Sequence, residues 1–139
     1  MFTNEVQIRV RYAETDQMGY VYYGNYATYF EVARVESLRK LGLSYRELEE
    51  SGIMLPVLEY KSKFIRPAKY DDLLTIKITI PELPTARIKF DYEVFNEVGE
   101  LTTTGETTLV FIKSQNKRPC AAPANFLEKI KSYFATNQQ

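Results

Sequence analysis

The second half of the chain holds four long runs joined by short connections; three of them alternate apolar and polar residues, and the last is rich in Thr and apolar residues. The runs are residues 57–66, 73–80, 86–95 and 101–112, and a period of two is typical of strands that bury one face. Each connection is shorter than the dozen or so residues that a parallel crossover needs. The sequence therefore predicts four consecutive antiparallel strands.

A further strand and a long helix precede these runs. Residues 5–12 alternate in the same way and predict the first strand. Gly24 and Asn25 are predicted to begin a helix with Asn25 as its N-cap, and Gly42 to end it. One face of this helix, about 26 Å long at the standard rise, is predicted to face the core. That face carries Tyr26, Phe30, Ala33, Ser37 and Leu41, flanked by Ala27 and Leu38.

Three smaller features complete the predicted elements. Ser44 and Glu47 form a capping-box pattern for a short helix that ends at Gly52. Gly105 is a candidate bulge in the last strand. Residues 124–135 carry a helical apolar pattern and predict a closing amphipathic helix.

Together these elements predict a single α+β domain over residues 1–139. A strand, a long helix, four antiparallel strands and a terminal helix pack most simply as one curved sheet of about five strands wrapped around the helix. Nothing in the pattern covers both edges of that sheet, and uncovered edges recruit other strands. We therefore expect the protein to oligomerise, with sheets pairing edge to edge.

Charge and composition exclude several classes of partner. Lys and Arg number 18, as do Asp and Glu, so no overall field attracts nucleic acid or a membrane surface. No apolar run is long enough to span a bilayer, and the start of the chain lacks the pattern of a secretory signal. Cys120 is the only cysteine, which rules out an intrachain disulfide, and we expect it to be structural. A cytoplasmic location is expected.

The absence of histidine removes whole mechanisms. Without histidine the chain has no Ser/His or Cys/His pair and none of the usual zinc sites. Acid–base chemistry must fall to carboxylates, Tyr, Lys, Cys or backbone groups. No metal and no cofactor are expected.

Two carboxylates stand out near the long helix. Asp16 lies in a glycine-bearing loop before the helix, whose free N–H groups favour negative charge. An Asp in such a loop is commonly an Asx-turn or cap residue instead. Glu31, within the helix, is the competing acid, although we expect it to pair with Arg34 one turn on.

Three motifs carry a resemblance to a known family. The spacing D-x-x-G-x-V-x-Y-x-N-Y runs from Asp16 to Tyr26, F-E-x-x-R from Phe30 to Arg34, and R-P-A-x-Y-D-D from Arg66 to Asp72. The chain thereby resembles the 4-hydroxybenzoyl-CoA thioesterase family of hotdog-fold proteins, in its short single-domain acyl-CoA thioesterase branch. The resemblance spans essentially the whole chain in length and element order.

The resemblance implies catalytic roles for two residues. Asp16 matches the family's catalytic carboxylate, which attacks the thioester carbonyl or activates water. Tyr23 matches the position at the helix N-terminus whose backbone N–H bonds the thioester oxygen; some relatives have histidine there. Family members are usually dimers of dimers with active sites at the dimer interface.

Further residues are expected to contact the substrate. Gly24, Asn25 and Tyr26 lie at the same helix start. Arg87 and Lys89 alternate outward on a strand, where they either meet the coenzyme A phosphates or form a solvated strand face. Several tyrosines either line an acyl pocket or pack beside the helix. They are Tyr20, Tyr22, Tyr26 and Tyr29.

The sequence thus predicts an acyl-CoA thioesterase that releases a carboxylic acid and free coenzyme A. A lone carboxylate suffices because thiolate is a good leaving group, which suits a chain without histidine. Two alternatives remain open. One is an acyl-carrier-protein thioesterase, and the other is a binding module for acyl-CoA or acyl carrier protein that does no chemistry.

Overall fold

The computed structural model describes residues 1–134. The strands and helices of this part of the chain are β1 (Phe2–Arg9), α1 (Asn25–Lys40), α2 (Tyr45–Glu50), β2 (Ile53–Met54), β3 (Val57–Phe64), β4 (Leu73–Ile80), β5 (Arg87–Phe95), β6 (Leu101–Val110), β7 (Ile112–Lys113) and α3 (Ala124–Ile130). Short 3-10 helices lie at Tyr12–Glu14 and Lys131–Tyr133.

Five strands form one antiparallel sheet in the order β1-β4-β5-β6-β3. This confirms the antiparallel sheet and the α+β fold class. The short connection between β3 and β4 predicted that these two strands are neighbours, and this is wrong, because β3 pairs with β6 at one edge and β4 lies between β1 and β5. The remaining two strands, β2 and β7, form a separate two-stranded ribbon that the sequence pattern did not predict, because β7 continues the apolar run of β6. Gly105 is not at a bulge, since the ladder is regular there and shifts instead at Val57/Glu59 and Val94/Phe95.

Helix α1 packs across the inner face of this sheet. Phe30 is fully buried, and its ring stacks on that of Tyr92 from β5 with centroids 4.1 Å apart. Alternate residues of β4 and β5 supply a large part of the core, because an antiparallel sheet buries one face of each strand. Ala27, predicted to flank the buried face of α1, is exposed.

Helix α1 differs from the prediction at its N-cap and agrees with it at its C-terminal glycine. Gly24 is the N-cap and Asn25 the first helical residue, so Asn25 does not cap the helix. At the other end Gly42 has a φ of +81°, the left-handed conformation that glycine adopts at a helix C-terminus. Ser44 caps α2 as predicted, accepting a hydrogen bond from Glu47 N–H at 3.1 Å.

The predicted bounds of the first strand and of the closing helix differ from those observed. β1 covers Phe2–Arg9 in place of residues 5–12, because its partner β4 begins at Leu73, opposite Arg9. The closing helix ends at Ile130 and continues as a 3-10 turn to Tyr133, and the predicted last residue, 135, lies outside the described residues. Within residues 1–134, no helix has the length and apolarity needed to cross a membrane.

The two edges of the sheet are β1 and β3. β3 pairs with β6 on one side only. It was predicted to bury one face, yet both of its faces carry exposed side chains. Its exposed apolar residues are Val57, Leu58, Tyr60 and Phe64. Within residues 1–134, an apolar strand edge is therefore left without a partner.

Candidate active site

The loop after β1 holds Asp16 in a tight turn. Asp16 Oδ1 accepts hydrogen bonds from the N–H groups of Met18 at 2.9 Å and Tyr20 at 3.2 Å. The backbone closes the same turn, because Gly19, with a φ of +79°, donates to Asp16 O at 2.9 Å. One carboxylate oxygen thus forms an Asx-turn, whereas Oδ2 has no hydrogen-bond partner within residues 1–134.

The start of α1 presents free backbone donors. Tyr22 N–H donates to Glu14 O at 2.9 Å, and Asn25 N–H donates to Tyr22 O at 2.9 Å. Between them, the N–H groups of Tyr23 and Gly24 have no acceptor in the described part of the chain. They lie at the positive end of the helix dipole, which favours an anionic or polarised oxygen.

Asp16 and Tyr23 line one cavity of about 330 Å³. Its walls are mostly apolar and aromatic, as in typical small-molecule sites. The other residues that line it are Met18, Tyr20, Val21, Tyr26, Phe64, Ile65, Arg66 and Pro67. Tyr26 is buried, and burial raises the pKa of its hydroxyl above the ordinary tyrosine value.

The other predicted substrate contacts lie in different places. Gly24 is at the helix start but does not line the cavity. The side chain of Asn25 is half-buried, and its Nδ2 donates to Glu14 O at 2.7 Å. Asn25 therefore fastens the helix start to the preceding loop.

Arg87 and Lys89 are not brought to this cavity within one chain. Lys89 pairs with Thr108 of β6, whereas Phe64 of the cavity pairs with Thr103, a separation of about 17 Å along the strand. Lys89 Nζ lies 3.8 Å from an oxygen of Asp91 and 3.4 Å from one of Glu106. Their negative charges raise the pKa of Lys89. Arg87 is exposed.

Glu31 does not pair with Arg34, so that prediction is wrong. Arg34 is buried and donates from Nε to the Tyr45 hydroxyl at 3.2 Å and from Nη1 to the Tyr92 hydroxyl at 3.0 Å. Glu31 stays exposed and forms no ion pair with any described residue. Both line a separate cavity of about 300 Å³ beside Tyr60, so Glu31 is not the acid of the Asp16 cavity.

A larger cavity, of about 630 Å³, lies on the outer face of the sheet. Lysines and acids alternate along its walls, among them Lys63, Lys77, Glu93 and Glu106. None of the residues that line it belongs to the start of a helix, so we assign the chemistry to the smaller cavity, which Asp16 and Tyr23 line.

The sequence pattern missed Glu14 and the cavity residues of the loop after β3. Glu14 is buried and accepts a hydrogen bond from the Tyr29 hydroxyl at 2.7 Å. Its only signal in the sequence is a carboxylate two residues before Asp16. Tyr29 is buried with it, while Tyr22 is exposed and Tyr20 is half-buried in the cavity wall.

An antiparallel sheet packed against one long helix, with Asp16 and the start of that helix on one cavity, is the arrangement of the hotdog-fold thioester hydrolases. Residues 10–130 match the thioesterase-like superfamily, and the chain belongs to this family. The resemblance seen in the sequence is confirmed at this level.

Individual relatives agree with the family. The crystal structure of a DHNA-CoA thioesterase from Staphylococcus aureus superposes with a TM-score of 0.92 at 38% identity, covering 99% of this chain and 94% of that chain. The acyl-CoA thioester hydrolase YbgC of Escherichia coli is 27% identical over 89% of this chain and 92% of its own length. An acyl-acyl carrier protein thioesterase of Arabidopsis thaliana, ATL3, is 36% identical over 91% of this chain and 67% of its own length.

Proposed function

We propose that this thioester hydrolase acts on acyl-CoA, releasing a carboxylic acid and coenzyme A. The observation that carries the proposal is the pairing of Asp16 with the unpartnered N–H of Tyr23 on one cavity. Relatives named for acyl-CoA and DHNA-CoA hydrolysis support coenzyme A as the thiol carrier.

The proposed chemistry follows from where charge develops. Attack on the thioester carbonyl places negative charge on its oxygen, and the Tyr23 N–H at the positive end of α1 is positioned to hold that charge. Asp16 Oδ2 is free to take the proton of an attacking water while Oδ1 stays fixed in the turn. The carbon–sulfur bond then breaks, and the coenzyme A thiolate leaves and is protonated.

A covalent route uses the same atoms. Asp16 Oδ2 attacks the carbonyl carbon, the thiolate leaves, and water hydrolyses the resulting mixed anhydride. In both routes the negative charge of Asp16 is required. The cavity geometry is compatible with either route.

We further propose that a second copy of this chain completes the site by pairing at β3. That edge is apolar and pairs with no strand among the described residues, and Phe64 belongs both to it and to the cavity. Antiparallel pairing of two β3 edges would place the Val57 end of one strand beside the Phe64 end of the other. The Val57 end of the sheet also carries Arg87 and Lys89. Such pairing would therefore bring these two residues of one copy toward the cavity of the other copy, where we propose that they bind the coenzyme A phosphates. The dimer of dimers and the cytoplasmic location stay predictions.

Replacement of Asp16 by Asn tests the catalytic assignment. Asn keeps the shape and the Oδ1 acceptor, so the turn should persist while kcat falls by about 100-fold or more. Asp71→Asn is the matched control, since Asp71 is an exposed loop aspartate with a φ of +71°, which Asn tolerates. Thiol release from a panel of acyl-CoAs is the measurement. Full activity in a folded Asp16→Asn protein would overturn the assignment.

The carrier and the oligomer are tested separately. ATL3 makes acyl carrier protein the second candidate carrier, so kcat/KM is compared for one acyl group on each thiol; binding without thiol release would indicate a binding module.

For the oligomer, Leu58→Asp should yield monomers in light scattering and lower the thioesterase rate. The control Leu83→Asp, at a comparably exposed leucine outside β3, should leave both unchanged. A Leu58→Asp protein that keeps the wild-type mass would exclude pairing at β3.

A further inference from the structure

Glu14 lies buried between the loop that carries Asp16 and the start of α1. It ends the 3-10 helix Tyr12–Glu14, and its residue is only 9% exposed. A carboxylate this buried costs free energy unless its oxygens are hydrogen-bonded or paired with a positive charge.

The carboxylate of Glu14 is fully engaged. Oε1 accepts hydrogen bonds from the Tyr29 hydroxyl at 2.7 Å and from Arg11 N–H at 2.9 Å. Oε2 accepts from Arg11 Nε at 2.9 Å and Nη2 at 2.6 Å. Four donors, two of them on a charged guanidinium, account for both oxygens and leave no room for a catalytic proton transfer.

The backbone carbonyl of the same residue is engaged as well. Glu14 O accepts from Tyr22 N–H at 2.9 Å and from Asn25 Nδ2 at 2.7 Å. These two partners flank Tyr23 and Gly24, whose own N–H groups have no acceptor within residues 1–134. Glu14 O therefore fixes both sides of the segment that supplies the oxyanion donors.

The two sets of contacts constrain different motions. The carbonyl contacts fix where α1 begins, and the contact with Tyr29, one turn into the helix, fixes its rotation about its own axis. On the loop side, Glu14 is bonded to Arg11 and lies two residues before Asp16. One residue thus joins the element that carries the carboxylate to the element that carries the N–H donors.

We propose that Glu14 is a positioning residue that holds the Asp16 carboxylate and the Tyr23 N–H in register across the cavity. It acts through these groups and does not touch the substrate. The inference rests on the roles proposed above for Asp16 and Tyr23. A displacement of about 1 Å at a reacting group is enough to cost on the order of 100-fold in rate.

Two variants break the connection at different points. Tyr29→Phe removes the hydroxyl and keeps the ring, so α1 loses its bond to Oε1 while Arg11 keeps its own. Glu14→Gln keeps one acceptor but turns an amide donor toward the guanidinium, because Gln Nε2 replaces one oxygen. Tyr45→Phe is the matched control: it removes another hydroxyl bonded to α1, through Arg34, with no contact to the loop.

We expect Tyr29→Phe and Glu14→Gln each to lower kcat about 10- to 100-fold with KM changed less than threefold. The double variant should fall little further, because both changes break one connection. Tyr45→Phe should leave kcat within twofold of wild type. Equal kcat values for Tyr29→Phe and Tyr45→Phe would overturn the positioning role.

Amide hydrogen exchange gives a second readout that does not depend on activity. The Tyr22 amide and its neighbours should exchange faster in Tyr29→Phe and Glu14→Gln than in wild type and in Tyr45→Phe. Unchanged exchange in this segment would also overturn the proposal. An inactive wild-type protein with the expected exchange pattern would instead count against the proposed function alone.

Discussion

The ring of Phe30 lies directly over Gly105. A Cβ built on Gly105 would come within 2.5 Å of Phe30 Cε2 and 3.1 Å of the Lys61 carbonyl oxygen. Gly105 therefore lies at a close approach between α1 and the sheet. A glycine inside a strand commonly marks such a close approach.

Gly105→Ala should destabilise the protein by about 1–3 kcal/mol, the range typical of overpacked cores. Urea unfolding measures the change. Adding Phe30→Leu to this variant should cost less than the sum of the two single changes, because the smaller side chain makes room for the new methyl group. Thr104→Ala, a neighbour outside the core, is the control. An additive double variant would show that the Phe30 ring is not the obstacle.

A second prediction concerns alkaline pH. The Tyr92 hydroxyl shares a hydrogen bond with Thr107 Oγ1 at 2.6 Å and accepts one from Arg34. Burial raises its pKa to about 12 against the lowering effect of the Arg34 charge. The neutral form is thus favoured in the fold, so this stability is complete below about pH 10 and is lost as the pH rises toward 12.

The full loss, above pH 12, should be about 2–3 kcal/mol, and about half of it should have occurred by pH 11, one pKa unit being about 1.4 kcal/mol. Urea unfolding between pH 8 and 11, at temperatures where wild type refolds, measures the slope of the free energy of unfolding against pH. Tyr92→Phe should flatten it, whereas Tyr12→Phe, at an exposed tyrosine, should not. Identical slopes in wild type and Tyr92→Phe would contradict the assignment.

Glu14 predicts the opposite behaviour in acid. Burial alone would raise the pKa of its carboxyl, but hydrogen bonds from Arg11 N–H, the Tyr29 hydroxyl and the Arg11 guanidinium outweigh burial and lower it. The charged form is therefore favoured in the fold. Its stabilisation is present above the ordinary value of 4.5 and is lost as the pH falls through the lowered pKa.

Glu14→Gln should remove part of this acid dependence. Unfolding by urea is compared between pH 6 and 3 for wild type, Glu14→Gln and the control Glu31→Gln, whose exposed carboxylate forms no ion pair with the described residues. The free energy of unfolding should change less with pH in Glu14→Gln than in wild type or Glu31→Gln. If the control and Glu14→Gln titrate alike, the lowered pKa is not the source of the acid sensitivity.

The sequence could predict what depends on periodicity and local turn chemistry. β4 was predicted with its observed bounds because its alternation ends at a turn on both sides. The Gly42 stop and the Ser44 cap were predictable because each acts within a few residues. The residue pattern also placed the Asp16 carboxylate near a helix start, whereas its pairing with Tyr23 came from the resemblance to the thioesterase family.

Contacts between distant segments could not be predicted in this way. Arg34 bonds the hydroxyl of Tyr92, 58 residues away, so the local rule that pairs it with Glu31 failed. Gly105 looked like a bulge because only the packed helix reveals Phe30 above it. Glu14 lies in a loop without periodicity, and its burial depends on Tyr29, 15 residues on.

The last prediction separates the backbone of residue 23 from its side chain. The Tyr23 side chain is 64% exposed, and its ring contacts those of Tyr22 and Phe64. Its N–H bonds no described residue, so a proline there breaks no hydrogen bond within the chain. If the N–H holds the carbonyl oxygen, Tyr23→Phe should keep kcat within about twofold, and Tyr23→Pro should lose on the order of 100-fold or more.

Single-turnover thiol release measures the chemical step, and circular dichroism with thermal unfolding verifies that Tyr23→Pro is folded. Tyr23→Leu removes the aromatic ring and keeps the N–H, so it should raise KM while kcat holds. This variant keeps the prediction testable if the proline protein unfolds, because a side-chain role would make Tyr23→Leu as slow as Tyr23→Pro. A folded Tyr23→Pro enzyme with the wild-type rate would exclude the Tyr23 N–H as the oxyanion donor.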